Sequence, residues 1–281
     1  MAARAVLAED YAFITFIRIE ALSCPISTSF RHFPHCFSAT LLYQLSTLSA
    51  LLLGDFEPSL SIGELKRHGT LGIGTFEGLG GELIMLDGVV WNGTHTGEAA
   101  PAADIEKTPF ACVIDWQPPA SAVKLPAVGS LDNLRAVLDE AAKGAENRVL
   151  AVRLQVFQAD VTFRSFAPAP KPWKPMKDML FSQKITAERN VQAEIIGFRF
   201  PGYLESINMP GWHLHVLTAP NDSGKRFGGH LLNITADAGI EAQWMAADGL
   251  ELTFPTGEAG RIYDALPLDQ DLREITKAAE G

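Results

Sequence analysis

The chain has 281 residues, enough for one large domain or two small ones. Its 47% hydrophobic and 20% charged content fits a globular protein with an ample core, and no stretch reaches the ~18 uninterrupted apolar residues of a membrane span. A net charge of -10 argues against a nucleic-acid partner, which needs clustered Lys and Arg.

Residues 1–40 mix aromatics, Cys, His and Ser without a period. Residues 11–17 look like a signal-peptide core, but Glu9 and Asp10 precede them where basic residues belong, and Arg18 and Glu20 interrupt soon after. This stretch reads as an extension with no assigned role. The 3 cysteines (Cys24, Cys36, Cys112) are widely spaced and form neither a metal motif nor a disulfide framework, so a reducing, cytoplasmic compartment is the simpler expectation. Asn92, Asn221 and Asn233 open Asn-x-Ser/Thr sequons, at a frequency that chance supplies.

The spacing predicts a helix over 43–53, stopped by Gly54. A second helix is expected over 61–68, with Ser61 as cap, Glu64 at the capping-box position and Gly69 as terminator. Short strands are expected between Gly69 and Gly93, with Asp87-Gly88 as a hairpin turn. Further strands are predicted over 109–116, 149–157 and 161–166, with a helix over 131–142. The Pro-rich run 168–175 reads as a boundary between a sheet subdomain over 41–167 and a second over 168–281. Strands then follow over 193–200, 212–218, 230–237 and 241–244, and a helix over 269–280. Gly72, Gly74, Gly78, Gly80 and Gly81 do not form Gly-x-Gly-x-x-Gly between a strand and a helix, which argues against a dinucleotide or P-loop site.

The chemistry concentrates in Gly211-Trp-His-Leu-His215 and Gly228-Gly-His230. His213 and His215 are two apart, so on a strand both face the same way. Pro220, Asn221, Asp222, Ser223 and Gly224 are turn residues, and a returning strand brings His230 beside the pair. Three neutral imidazoles with no further protein ligand leave coordination positions open, the pattern of a catalytic zinc. A polar outer strand face is the bland alternative. A cupin is another, but it wants a Glu four or five residues after the second His, where Ala219 and Pro220 stand.

Glu82 follows two glycines and begins an apolar strand. Buried there it would hold a proton near neutral pH and act as acid or base. Its local surroundings alone favour a solvent-facing strand end. Arg164 lies in an apolar strand beside Phe163 and Phe166; it could clamp a carboxylate bidentately, though local sequence favours an Arg at a sheet edge. Glu280 is one residue from the end of the chain.

Several ordered blocks resemble the α-acetolactate decarboxylase family. They are Leu42-Tyr-Gln-Leu-Ser-Thr-Leu-Ser-Ala-Leu-Leu, Lys66-Arg-His-Gly, Gly72-Ile-Gly-Thr-Phe, Gly81-Glu-Leu-Ile-Met-Leu-Asp-Gly and Thr108-Pro-Phe-Ala. The two histidine blocks, with Asp271-Leu-Arg to Ala279-Glu280, complete a likeness that runs from about residue 41 to the end. It implies zinc-dependent conversion of 2-acetolactate, a 2-hydroxy-3-oxo acid, to acetoin and carbon dioxide. It places the metal on His213, His215 and His230 and the acid/base glutamate on Glu82. Arg164 and Glu280 take the family's arginine and closing glutamate, and Thr75 a supporting polar contact. The implied fold is α+β, with mixed and antiparallel sheets in two subdomains, flanking helices, a metal site between them, and a homodimer. Four departures stand out. The loop 218–226 is longer than the family's and is expected to lie near the metal and bear on substrate size. Ser165 replaces a Thr, 167–173 lacks a usual Gln, and Trp212 replaces a Tyr. Another zinc lyase or hydrolase on this scaffold, or a non-catalytic binding protein, are the rival readings.

Overall fold

The computed structural model describes residues 39–237, 239–268, 272, 273, 275 and 276. Glu280, nearly all of the extension over 1–40 and most of the closing helix expected over 269–280 lie outside the described residues.

The chain enters through β1 (Leu41–Leu45) and α1 (Leu48–Leu52), where apolar spacing predicts a single helix. Ser46 breaks the run with φ 62, and Thr47 starts α1 by accepting a hydrogen bond from the Ala50 backbone N–H. A continuous apolar run has no period to separate strand from helix, so strand pairing decides it. β2 (Leu60–Ser61) leads into α2 (Ile62–Leu65) and a 3-10 turn over Lys66–His68, with the expected capping box between Ser61 and Glu64 in place. Next come β3 (Leu71–Thr75), β4 (Glu82–Leu86), β5 (Val89–Gly93), β6 (Glu98–Pro101), β7 (Lys107–Thr108) and β8 (Ala111–Ile114). Asp87 and Gly88 take φ 51 and 76, the backbone that a tight hairpin between β4 and β5 requires.

The chain continues through β9 (Val123–Leu125), the expected helix α3 (Leu131–Ala141) and β10 (Leu150–Phe166). The two strands predicted over 149–157 and 161–166 are thus one, irregular where Gln158 takes φ 52. β11 (Gln183–Phe200), β12 (Gly211–Thr218), β13 (Arg226–Ala236), β14 (Ile240–Ala246), β15 (Gly249–Thr253) and α4 (Gly257–Asp264) follow. The Pro-rich run 168–175 lies in the connection from β10 to β11, two strands that pair directly from Leu150↔Arg199 to Phe166↔Gln183.

Among the described residues, 13 strands form one hydrogen-bonded array in the order β15-β1-β8-β3-β4-β5-β6-β13-β12-β11-β10-β14-β9. The β1–β15 pair is parallel and the rest are antiparallel, so the sheet is mixed, as expected, and among the described residues the helices are few and short. β3, β4 and β8 are buried along their whole length. One face, with Leu71, Ile73 and Ile84, meets one apolar cluster; the other, with Leu83, Met85 and Val113, meets a second. Residues of α3, β10, β12 and β14 enclose a third, around Leu134, Val152 and Leu214.

Two features place the functional residues. β4 packs against β12 and β13, which brings the first part of the array against the second. β13 pairs both with β12 and, through a further pairing, with β10, closing β10, β11, β12 and β13 into a ring. The glycines before His230 permit this. A Cβ on Gly228 would stand 2.5 Å from the Val216 carbonyl oxygen, and one on Gly229 2.4 Å from that of Arg164.

Candidate metal centre

β12 is buried from Trp212 to Thr218 and alternates as a strand must. Trp212 and Leu214 point into the apolar cluster under α3, where the Trp212 indole N–H donates to Asp139 Oδ1 at 2.8 Å. His213 and His215 point the other way. The register His215↔His230 sets the third ring beside them. Ring centroids lie 5.2 Å apart for His213–His215, 4.9 Å for His213–His230 and 5.5 Å for His215–His230. One nitrogen from each ring lies within 4.8 Å of the others, so the three could hold a metal ion.

The rings are neutral and therefore ready to donate lone pairs. Burial pushes His215 down to about 3, against the Leu83 carbonyl that favours its proton, and the Arg164 charge adds to the depression. Burial likewise holds His213 and His230 well below the ordinary value, with Arg164 and the neighbouring rings contributing. His215 Nδ1 lies 3.0 Å from the Leu83 carbonyl oxygen, a contact only an N–H can make, which leaves Nε2 as its lone-pair atom. His213 Nε2 and His230 Nδ1 are 3.1 Å apart, within hydrogen-bond distance. His213 Nδ1 is buried with no hydrogen-bond partner among the described residues. Three buried, neutral imidazoles with a ring nitrogen from each close together are what a divalent cation such as zinc takes as ligands, so the donor set fits that metal.

Glu82 opens β4, paired with Thr75 on one side and Gly93 on the other. It is buried, and its Oε2 lies 3.6 Å from His215 Nε2. The solvent-facing alternative is thereby overturned: β4 is an inner strand, and its packing against β12 turns Glu82 toward the rings. Thr75 lines the same cavity, but its hydroxyl donates to the Gly81 carbonyl at 2.8 Å. It ties down the turn that aims Glu82. Arg164 is 5% exposed, which overturns the sheet-edge alternative. Its strand position is opposite His230 on β13, its Nη1 donates to Gln183 Oε1 at 3.3 Å, and its guanidinium carbon is 5.6 Å from the Phe166 ring centroid. Glu280 lies outside the described residues.

The three histidines, Glu82, Arg164 and Thr75 line one cavity. Leu48, Leu51 and Leu52 of α1, with Phe110, Phe166 and Met176, form its apolar side. Residue patterns do not mark this wall as part of the site, because leucines in a short helix read as ordinary core; nor do they mark Gln183. The expectation for the loop 218–226 is corrected. Lys225 Nζ donates to Glu98 at 2.7 Å, and Arg226 and Phe227 pair with Ala99 and Glu98 of β6. The loop is thus fastened to β6, and none of its residues lines the cavity.

Residues 42–264 match the family model described as alpha-acetolactate decarboxylase. The alpha-acetolactate decarboxylase of Methanosarcina mazei is 34% identical over 243 residues, covering 86% of this chain and 81% of that one. That of Raoultella terrigena is 30% identical over 254 residues, covering 85% and 91%. The crystal structure of alpha-acetolactate decarboxylase from Bacillus subtilis superposes with a TM-score of 0.77 at 25% identity, covering 86% of this chain and 99% of that one.

Proposed function

The chain belongs to the α-acetolactate decarboxylase family, and on that premise we propose that it carries out zinc-dependent decarboxylation of 2-acetolactate to acetoin and carbon dioxide. The observation that carries the proposal is the convergence of three buried neutral imidazoles, a buried carboxyl and a buried guanidinium on one cavity.

Loss of carbon dioxide from a 2-hydroxy-3-oxo acid leaves an enediolate, and the barrier is the negative charge that grows on oxygen. His213, His215 and His230 would hold the zinc ion, which would supply Lewis-acid stabilisation of that charge, worth several kcal/mol. The remaining work falls to side chains. Arg164 presents a planar fork of N–H donors to the substrate carboxylate and fixes the breaking bond relative to the rings. Leu48, Leu51, Leu52 and Met176 receive the two methyl groups and exclude water. Glu82 delivers a proton from one side, so one acetoin enantiomer forms. Thr75 acts through the Gly81 carbonyl, holding the turn from which Glu82 projects. Glu280, by its place in the family pattern, is proposed as a second carboxyl for the reaction; it lies outside the described residues.

No helix among the described residues is long and apolar enough to cross a membrane. We read the protein as a cytoplasmic homodimer, on the family likeness and the lack of a disulfide framework. Metal analysis tests the zinc assignment: the purified protein should hold one zinc ion per chain, and His215→Ala should reduce that to a trace. Undiminished zinc in His215→Ala would remove the three rings from metal binding.

A further inference from the structure

We propose that Gln183 is a positioning residue for Arg164. The inference rests on the reading of Arg164 as the clamp for the substrate carboxylate.

Arg164 must aim a charged fork at the cavity from the end of a flexible side chain whose rotamer freedom has to be removed. Its backbone is fixed by the pairing with β13 and β11, but pairing fixes only the Cα. Among the described residues, Phe166 and Gln183 act on the guanidinium from its own face of the sheet. Phe166, two residues along β10, offers its ring. Gln183, the first residue of β11, sits opposite Phe166 in the register and is therefore the diagonal neighbour of Arg164. Its Oε1 accepts from Nη1. An amide oxygen is a suitable acceptor here. It draws one N–H of the fork outward without neutralising the charge the substrate needs, as a carboxylate would.

The place of Gln183 in the fold matches this role. Among the described residues, the first half of β11 has no strand on its outer side, since β12 pairs with Ala193–Phe200. Its Lys184 and Ile185 are exposed, whereas Gln183 is half-buried and turned inward. It is also where the Pro-rich connection ends and the β10–β11 ladder begins. Among the described residues, Gln183 does not line the cavity, and its link to the chemistry runs through Arg164.

The test is a double-mutant cycle on the full-length, zinc-loaded protein, read by calorimetric binding of 2-hydroxy-2-methylpropanoate. This α-hydroxy acid has the carboxylate but no keto group to react. Gln183→Met keeps the length of the side chain and removes the acceptor. It should weaken binding about tenfold with an unchanged melting temperature, the scale of one charge-assisted hydrogen bond. Arg164→Met should weaken it more, and adding Gln183→Met to Arg164→Met should cost nothing further. A merely structural role would not give that coupling. Equal losses in both backgrounds, an unaffected Gln183→Met protein, or no binding by the unsubstituted protein would each overturn the proposal. Failure of both Gln183→Met and Gln183→Leu to fold would assign the residue to the frame of the sheet and overturn it too. Acetoin formation is scored separately. An unsubstituted protein that binds the acid, shows the coupling, yet makes no acetoin would sink the decarboxylase reading and leave this one standing.

Discussion

His230 sits directly across the β10–β13 ladder from Arg164, and a one-residue register shift puts it there. Thr162 pairs with Asn233 but Phe163 pairs with Leu231, so Leu232 is the extra residue. Had the unshifted register continued, Phe163 would face Leu232 and Arg164 would face Leu231, and His230 would turn to the other side of the sheet. The same His230 pairs with His215 on β12. One position on β13 therefore joins the arginine to the ring cluster, and the bulge is part of the site.

Glu82→Gln should retain zinc and the fold but lose about a hundredfold or more in kcat, the usual contribution of a positioned proton donor. Glu82 follows a turn held by Thr75, and Gln preserves its shape. Metal content, circular dichroism and initial rates check this together. Normal acetoin production by the variant would remove Glu82 from the mechanism.

The apolar wall should set the size of the accepted alkyl group. Leu51→Ala opens space beside the cavity, at a cost of about 2–5 kcal/mol in stability for a buried leucine. It should shift the ratio of kcat/KM toward the substrate bearing ethyl in place of methyl by about tenfold, the scale of one methylene in an apolar pocket. Shortening the loop at 221–224 should leave the ratio unchanged. A larger change from the loop than from Leu51→Ala would contradict the assignment of the wall.

Much of this site is legible in the residues, for a local reason. The His-x-His spacing, the turn at 220–224 and the two glycines are properties of one hairpin, and a strand period of two carries them into space. The burial of Glu82 and Arg164 is not local. It depends on β4 lying against β12 and on the shift at Leu232, and only the family likeness points to it. β1 was hidden within an apolar run that suits strand and helix alike. The first half of β11 carries Lys184, Glu188, Arg189 and Asn190, because an edge faces water, and so lacks the apolar alternation of a strand. The role of α1 as a wall depends on what stands opposite, the histidines and Met176, which lie far away in sequence.

Arg153 joins the two parts of the sheet. It donates from Nε to Glu194 at 2.9 Å and from Nη1 to Asp87, in the β4–β5 turn, at 2.7 Å. Arg153 and Glu194 are mostly buried side chains, at 17% and 19% exposure, whereas Asp87 is 65% exposed. Arg153→Met should destabilise by about 2–4 kcal/mol, because it leaves Glu194 half-desolvated without its partner. Asp87→Asn should cost less than about 1 kcal/mol, since the exposed pair is screened and Asn tolerates positive φ. Urea denaturation distinguishes them; equal losses would contradict the ranking.

The metal-free protein should lose stability as pH falls below about 6.5. Each ring has a folded-state pKa below its unfolded value, so the unfolded chain binds protons first, and stability is full above the unfolded pKa. Loss then continues down toward about 3, the value for His215. The slope can reach about 4 kcal/mol per pH unit if all three rings contribute. Asp55 opposes this, because burial pushes its carboxyl up to about 6 and the folded state then gains protons between that pH and the ordinary carboxyl range. Asp55→Asn should therefore steepen the acid side of the curve. A metal-free protein equally stable at pH 7 and pH 5 would contradict the neutral-ring description.

The most direct measurement is acetoin formation from racemic 2-acetolactate by the purified protein, with chelator and again after zinc is restored, resolved by enantiomer. The account predicts zinc-dependent acetoin, abolished by chelation and recovered with zinc, with one enantiomer dominant. No acetoin from folded, zinc-loaded protein, or racemic acetoin at a rate indifferent to zinc, would contradict it.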